Sequence, residues 1–299
     1  MPLVSFHELM ASAEAQQYAV GYLESWNLES LLAVADAAEA TRSPVILGFS
    51  GINLPDPQRL VREPLAAYAA LGLEVCRGLS VPACLLFNES PYVDAVMECI
   101  RLGFSVVMYS NDDVTYEEEV RQVRSVVEAA HAVGVAVEGE AAALPGIAGE
   151  LTQAPDDFRL TDPQAAREFI EATGVDAFAV NIGQAHLHGR HELRLRLDCL
   201  AELRKTISVP MVLHGATSVH RDDFPAVIAL GIRKINVGSV LKQTYFEAVR
   251  RAVMQTGQDY NPYDVLGSGS PQDVLTAGRI AMQKTVEELM IVFGSAGKA

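Results

Sequence analysis

The chain has 299 residues, of which 49% are hydrophobic, a size that suits one barrel-sized domain or two smaller ones. Its formal net charge of −15, with no Lys/Arg-rich block, excludes nucleic acids and acidic membranes as expected partners and leaves a small molecule. The sequence has no apolar run of transmembrane length, and MPLVSFHELM lacks the basic-then-apolar order of a signal peptide, so we expect a cytoplasmic protein.

Eight short segments are continuously apolar rather than alternating, which is typical of strands buried on both faces of a parallel sheet. In chain order they are YAVGYLE, PVILGFS, PACLLFN, SVVMYS, VAVEGE, AFAVNIG, PMVLHG and KINVGS. Helical patterns lie between them. In YEEEVRQVRSVVEAAHAVG, for example, Val120, Val123, Val127 and Ala130 recur at steps of three or four residues, as on the buried face of a helix.

The helices carry start and stop signals that support these boundaries. Asp162 followed by Pro163 predicts a helix start, with an N-cap side chain and a proline at the first position. A glycine followed by an apolar residue predicts the end of a helix and the entry into the next strand. Four such pairs occur: Gly103 with Phe104, Gly134 with Val135, Gly174 with Val175, and Gly231 with Ile232.

Eight strands separated by helices predict an α/β protein with a (β/α)8 TIM barrel, and a doubly wound open sheet is the alternative. After the eighth strand we expect a helix near residues 240 to 256, the segment NPYDVLGSGSP and a last helix near residues 271 to 293. No linker or internal repeat divides the chain. We therefore expect a single domain over residues 1–299, with the C-terminal helices from about 240 to 299 packed on the barrel.

In a parallel barrel every strand delivers its last residues to one face, so polar residues at the strand ends are expected to surround one mouth. Glu138 and Glu140 are two residues apart and share a face of their strand. Two inward carboxylates are costly unless a cation or donors satisfy them, although a solvated strand end is the alternative. The strand-end residues are Glu24, Ser50, Asn88, Glu89, Ser110, Glu140, His186, His214 and Asn236.

A metal site is indicated by His186 and His214, which end the neighbouring sixth and seventh strands. Two imidazoles and one carboxylate form a common set of ligands for a divalent metal and leave room for water or substrate. A lone histidine at such a position would more often be a packed or hydrogen-bonding residue. The carboxylates on the same rim favour the metal.

A phosphate site is indicated by the loops after the seventh and eighth strands, where barrels often hold phosphate on backbone N–H groups and a helix N-terminus. Gly183 and Arg190, after the sixth strand, add a backbone donor and a cation. Individually these are ordinary turn residues. The two loops contain Gly215, Thr217, Ser218, Asn236, Gly238 and Ser239.

Nearly end to end, these motifs resemble the class II, metal-dependent fructose-bisphosphate and tagatose-bisphosphate aldolase family. The similarity lies in MPLVS, YAVG, SPVILG, GF-S-VM from Gly103 to Met108, VEGE, G-x-x-H from Gly183 to His186, VLHGATS, KINVGS and the closing FGS. The resemblance implies a divergent member of the family with a TIM barrel, a phosphorylated substrate and a homo-oligomeric assembly, either a dimer or a tetramer.

The resemblance also implies site residues. His186 and His214 match the two histidines that bind the catalytic metal, expected to be zinc, and Glu140 matches an acidic metal-site residue on strand five. Arg190 stands where the family commonly has Lys, and Ser50 is expected to contact the substrate. The positions that match the grip on the phosphate of dihydroxyacetone phosphate are Gly183, Arg190, Gly215, Thr217, Asn236 and Ser239.

The departures from the family pattern lie in the expected active site. After the strand-three Val-Pro the family has His-Leu-Asp-His, and this chain has Leu86, Phe87, Asn88 and Glu89. Asn88 replaces the aspartic acid that exchanges a proton with the aldehyde oxygen, and an amide cannot be a general acid. Glu89 replaces a metal-binding histidine and is expected to complete a set of two histidines and one carboxylate.

Two further positions differ from the family. Glu24 replaces an asparagine, and Ser110 stands where the family often has Asp. Glu24 is therefore our candidate for the missing acid, and Glu150 in LPGIAGELTQAPDD resembles the mobile-loop acid that handles the proton of the ketone. These departures indicate either loss of activity in a retained fold or coordinated change toward another substrate.

The leading hypothesis is an aldolase-like lyase that makes or breaks a C–C bond of a phosphorylated ketose through a metal-stabilised enediolate. The ketone fragment would be of the dihydroxyacetone phosphate type. One alternative is a metal-dependent isomerase, epimerase or decarboxylase acting on a sugar phosphate. Another is a homologue that binds ligand without turnover, and fold alone does not choose among them.

Overall fold

The computed structural model describes residues 2–141, 144–146, 151, 160–187 and 193–299. Its sheet is a closed barrel of parallel strands that pair in chain order, and the eighth strand pairs with the first. The predicted TIM barrel is confirmed, and the open-sheet alternative is wrong. The strands are β1 (Val20–Leu23), β2 (Val45–Ser50), β3 (Ala83–Ser90), β4 (Val106–Tyr109), β5 (Ala136–Gly139), β6 (Ala177–Val180), β7 (Met211–Leu213) and β8 (Ile232–Val237).

A helix follows each strand in the predicted alternation, and one further helix precedes the first strand. The first eight are α1 (Phe6–Gln16), α2 (Leu28–Thr41), α3 (Leu65–Gly78), α4 (Val93–Arg101), α5 (Tyr116–His131), α6 (Pro163–Thr173), α7 (Leu197–Thr206) and α8 (Phe224–Ala229). The expected C-terminal helices are α9 (Ser239–Gln255) and α11 (Val274–Val292), with the short α10 (Pro262–Val265) between them. Within the described ranges, no helix has both the length and the apolar composition needed to cross a membrane.

The predicted helix boundaries follow from local chemistry. Asp162 accepts a hydrogen bond from the N–H of Ala165 and caps α6, as the Asp-Pro pair indicates. Gly103, Gly134 and Gly174 have φ angles of 88°, 76° and 78°, a region that favours glycine. The chain can therefore turn sharply from each helix into the next strand.

Sequence analysis did not predict α1, which closes the amino-terminal end of the barrel. Phe6, Leu9 and Met10 of this helix pack in one cluster with inward-facing residues such as Val20 and Ile46, which lie near the start of the first two strands. Since this packing fills the lower end of the barrel, the open cavities near functional side chains lie at the opposite end, where the strands finish.

Gly48 sets the close approach of β2 to β3, the strand that presents the altered Asn88 and Glu89. It pairs with Leu86, and a Cβ at Gly48 would lie 2.1 Å from the carbonyl oxygen of Leu86. A side chain there must push the two strands apart. The space at Gly48 therefore determines the position of β3 relative to the rest of the mouth.

We expect Gly48→Ala to lower the free energy of unfolding by about 1–3 kcal/mol, because the added methyl overpacks the barrel wall. Urea unfolding measures the change. Gly78→Ala, at the end of α3, is the control, since a Cβ there meets nothing within 4 Å. The control should be neutral or slightly stabilising, and equal effects of the two substitutions would contradict the packing argument.

Candidate active site

A cavity of about 210 Å³ lies where the strands end. It contains most of the side chains that sequence analysis placed around the mouth. A second cavity of about 130 Å³ adjoins it and shares Ile52, Glu89 and His186, while Ser110 and Glu140 line only the second one. The predicted residues that line the first cavity are Glu24, Ser50, Asn88, Glu89, His186, Gly215, Thr217, Asn236, Gly238 and Ser239.

Glu89, His186 and His214 form a group in which one ligand atom from each side chain lies within 4.8 Å of the others. Glu89 Oε1 is 3.0 Å from His214 Nδ1 and 3.6 Å from His186 Nε2. Ligands about 2.1 Å from a tetrahedral zinc ion lie about 3.4 Å from one another. The spacing and the two-nitrogen, one-oxygen donor set therefore fit a divalent metal.

The backbone of Glu89 is unusual. Its φ angle is 49°, in a region that few residues other than glycine adopt, and the pairing of β3 with β4 shifts register between Phe87 and Ser90. The side chain of Asn88 donates a hydrogen bond of 2.6 Å to Glu89 Oε2, while Glu89 Oε1 faces the histidines. The two strand-three residues that depart from the family pattern therefore contact each other.

His214 is held from below by a buried ionic network. Its Nε2 lies 2.6 Å from Glu138 Oε1, and Glu138 Oε2 lies 2.7 Å from Lys234 Nζ. Because a carboxylate oxygen accepts, Nε2–H donates to Glu138, and Nδ1 is the nitrogen that faces Glu89. Lys234 also donates to Asn236 Oδ1 at 2.5 Å. Sequence analysis missed Lys234, which is fully buried within β8.

This network shifts the protonation of its members. Burial disfavours charge on all three groups, but Lys234 and His214 outweigh it at Glu138 and hold the pKa of that carboxyl below its ordinary value. At His214 burial is likewise outweighed by the carboxylates of Glu89 and Glu138, which raise its pKa to about 10. For Lys234, burial prevails and lowers the pKa.

Glu140 does not belong to the group of Glu89, His186 and His214, which is the set with metal-like spacing found in the described part of the chain. It is buried and accepts a hydrogen bond of 2.6 Å from the hydroxyl of Ser110. Burial, with a contribution from the nearby Glu89 carboxylate, raises the pKa of Glu140 to about 8. Its predicted role as a metal ligand stays a prediction.

Glu24 directly follows β1 and forms an ion pair with Lys242, from the first turn of α9. The ammonium of Lys242 also lies 4.9 Å from the centre of the Trp26 ring. Sequence analysis predicted a role for Glu24 but missed Lys242, because 218 residues separate the partners and no local pattern links them. Both side chains line the larger cavity.

Backbone features around the same cavity suit an anion. Gly215 has a φ of 62° and begins the turn Ala216–Ser218, and the Thr217 hydroxyl accepts a hydrogen bond of 3.3 Å from the N–H of Val240. The α9 helix begins at Ser239, and because Gly238 and Ser239 both line the cavity, the positive end of the helix dipole lies at the cavity wall. Gly183 instead donates its N–H to Asn181 Oδ1. Arg190 and Glu150 lie outside the described residues.

Sequence similarity to known proteins extends over nearly the whole chain. A family model described as fructose-bisphosphate aldolase class-II matches residues 4–298. The fructose-bisphosphate aldolase of Thermus caldophilus is 32% identical over 320 residues, which cover 99% of this chain and 100% of that protein. The sulfofructosephosphate aldolase of Alkalicoccus urumqiensis is 28% identical, covering 100% of this chain and 99% of that protein.

A solved aldolase structure is similar to this chain over nearly its whole length. The YdjI aldolase from Escherichia coli K12 superposes on this chain with a TM-score of 0.80 and 27% sequence identity. The superposition covers 99% of each chain. The similarity therefore includes the strand ends as well as the barrel.

We expect Lys234→Met to lower the free energy of unfolding by about 3–5 kcal/mol, because Glu138 would be left buried without its cation. Denaturant unfolding measures the loss. Lys205→Met is the control, since the ion pair of Lys205 with Glu202 is exposed and should contribute little. Similar stabilities of the two variants would show that the buried pair does not stabilise the barrel interior.

Proposed function

We propose that this chain, which belongs to the class II fructose-bisphosphate aldolase family, holds one divalent metal ion on Glu89, His186 and His214. As a family member it is an aldolase-type lyase that acts on a C–C bond of phosphorylated sugars, and the family is metal-dependent. The observation that carries the proposal is the metal-like spacing of these three side chains beside the cavity at the barrel mouth. We propose zinc as the metal because two imidazoles and one carboxylate suit it.

The residues present would hold the metal in a defined orientation. Glu138 accepts from His214 Nε2 and so directs Nδ1 toward the metal position, as outer partners of ligand histidines commonly do. The Asn88 amide fixes the second oxygen of Glu89 and leaves Oε1 for ligation. When bound, the metal would polarise the oxygens of the ketone fragment and stabilise the negative charge that develops on them.

We propose that the substrate binds through a phosphorylated ketone fragment of the dihydroxyacetone phosphate type. The turn that follows Gly215, the Thr217 hydroxyl and the N-terminus of α9 at Ser239 offer donors at the cavity wall. Ser50 and Asn236 line the same cavity and remain our candidates for further substrate contacts. The contributions proposed for Gly183 and Arg190 stay predictions.

The proton transfers need groups other than Asn88, whose amide is not an acid. Glu24 stays our candidate for the exchange with the aldehyde oxygen, since its carboxylate lines the cavity. In that role it would have to act while paired with Lys242. The proposed role of Glu150 in handling the proton of the ketone also stays a prediction.

We further propose that the protein is a cytoplasmic homo-oligomer, a dimer or tetramer, built from one domain per chain. In support of one domain, α11 packs against α2 and α9. The cysteines of the described residues are free thiols, as a reducing compartment requires. Phe246, Met254 and Ile291 are more than 60% exposed on the C-terminal helices, and exposed apolar surface supports self-association.

From the proposed lyase activity, we expect the zinc-loaded protein to release dihydroxyacetone phosphate from at least one phosphorylated ketose. A screen of ketose phosphates, with enzymatic detection of the released triose phosphate, measures this. Chelation should abolish release and added zinc should restore it. Conversion of a sugar phosphate without cleavage into two carbon fragments would contradict the lyase and favour an isomerase or epimerase.

The metal site predicts that His186→Ala lowers zinc affinity by more than about 100-fold, the upper range for loss of a mere outer partner. Competition with a chromophoric chelator measures the affinity, and elemental analysis gives the stoichiometry. His7→Ala is the control, because His7 bonds to Asp176 and is absent from the metal-spaced group. Unchanged affinity in His186→Ala would rule out the assigned ligand set.

A further inference from the structure

Lys242 is the only lysine or arginine among the described residues that line the larger cavity, and its charge is already engaged. Its ammonium pairs with the carboxylate of Glu24, which follows the neighbouring strand β1. The Glu24 side chain is 17% exposed and that of Lys242 is 43% exposed. The pair therefore lies at the edge of the cavity, where a ligand can reach it.

Both partners are held in place by their surroundings. The N–H of Glu24 donates to Val237 O at 3.0 Å, which fixes the end of β1 against β8. A Cβ at Gly238 would lie 2.6 Å from Glu24 Oε2, so the glycine leaves space for this carboxylate beside the N-terminus of α9. The Trp26 ring under Lys242 packs edge-to-face on Tyr245, with centroids 5.5 Å apart.

The charges of the cavity determine how many anionic groups it can hold. Among the described lining residues, Glu24 and Glu89 contribute carboxylates, and Lys242 contributes a single ammonium. A phosphate ester carries about two negative charges at neutral pH. A divalent metal and the backbone donors near Gly215 and Ser239 can balance one such group, whereas a second would face an ammonium that Glu24 has already neutralised.

We propose that Glu24 and Lys242 form a specificity pair that selects a ketose with one phosphate over a ketose bisphosphate. The inference rests on the proposed function, because it names the substrate class of the same site. In this pair Glu24 sets the preference, since its carboxylate both cancels the charge of Lys242 and repels a second phosphate. The hydroxyl groups of an uncharged sugar end can bond to both partners of the pair.

Equilibrium binding tests the pair without requiring turnover. Glucitol 1-phosphate and glucitol 1,6-bisphosphate lack the carbonyl group and cannot be cleaved, so their dissociation constants can be measured by calorimetry on the zinc-loaded protein. We expect the wild type to bind the monophosphate at least about tenfold more tightly, a factor that corresponds to about 1.4 kcal/mol. Tighter binding of the bisphosphate would overturn the inference.

Glu24→Gln keeps the shape of the side chain and frees the charge of Lys242, so it should reduce the preference for the monophosphate by about tenfold or more. Adding Lys242→Met to this variant should remove the gain in bisphosphate binding. Glu247→Gln is the control, because it removes the same charge from an exposed position of α9 outside the cavity. Equal ratios in the wild type and Glu24→Gln would overturn the assignment.

Two further measurements distinguish failure of the specificity pair from misfolding of a variant and from failure of the proposed lyase function. If Glu24→Gln does not fold, Lys242→Met alone decides, since it leaves Glu24 without its cation and should strengthen the preference for the monophosphate. Cleavage of fructose 1-phosphate and fructose 1,6-bisphosphate is assayed in parallel. Absence of cleavage with the expected binding ratio would refute the proposed lyase and retain the specificity pair, whereas cleavage with a bisphosphate preference would do the reverse.

Discussion

The contact between Glu138 and Lys234 inside the barrel is the interaction on which the site depends. Two ionised groups in an apolar interior are costly to desolvate, and each is tolerated because the other is 2.7 Å away. The pair keeps Glu138 available to accept from His214, which in turn fixes the direction of that imidazole. The orientation of the His214 ring at the barrel mouth is thus determined by charges buried beneath it.

Closure of the barrel provides the second constraint. Leu23 at the end of β1 pairs with Val237 at the end of β8, so the first and last strands meet although they are distant in sequence. The next residues on each strand, Glu24 and Gly238, therefore lie side by side, and Lys242 follows one turn later on α9. A charge pair at the cavity wall results directly from the register of the closing strands.

The sequence predicted the strands well because burial on both faces leaves a continuous apolar pattern, which local analysis can detect. Because the strands of a closed parallel barrel all end at one face, the sequence also predicted that strand-end side chains lie together. The positions of Glu89, His186 and His214 agree with this prediction. Lys234 was missed because a lysine near the start of an apolar segment resembles a solvated strand end. The α1 helix was missed although Ser5 and Glu8 form a capping box, a signal that the sequence does contain.

The pairings across the mouth were beyond sequence analysis for a different reason. Contacts such as Glu24 with Lys242, or Asn88 with Asn236, depend on side-chain direction at strand ends in a three-dimensional register. Spacing along one chain does not specify them. The sequence could therefore name the residues of the site but not their partners, and the partners determine what each charge can do.

Those partners also distinguish loss of activity from change of substrate. Asn88 accepts a hydrogen bond from Asn236 at 3.2 Å and donates one to Glu89, so the two altered residues are tied to each other and to β8. Glu89 keeps a left-handed backbone that costs about 1–3 kcal/mol, and such a conformation persists only where the surrounding structure enforces it. Random loss of an acid and a histidine would not require a replacement carboxylate at the correct spacing for a metal. Asn88 and Glu89 are therefore linked to each other and to β8, which supports our proposal of a changed substrate rather than a decayed site.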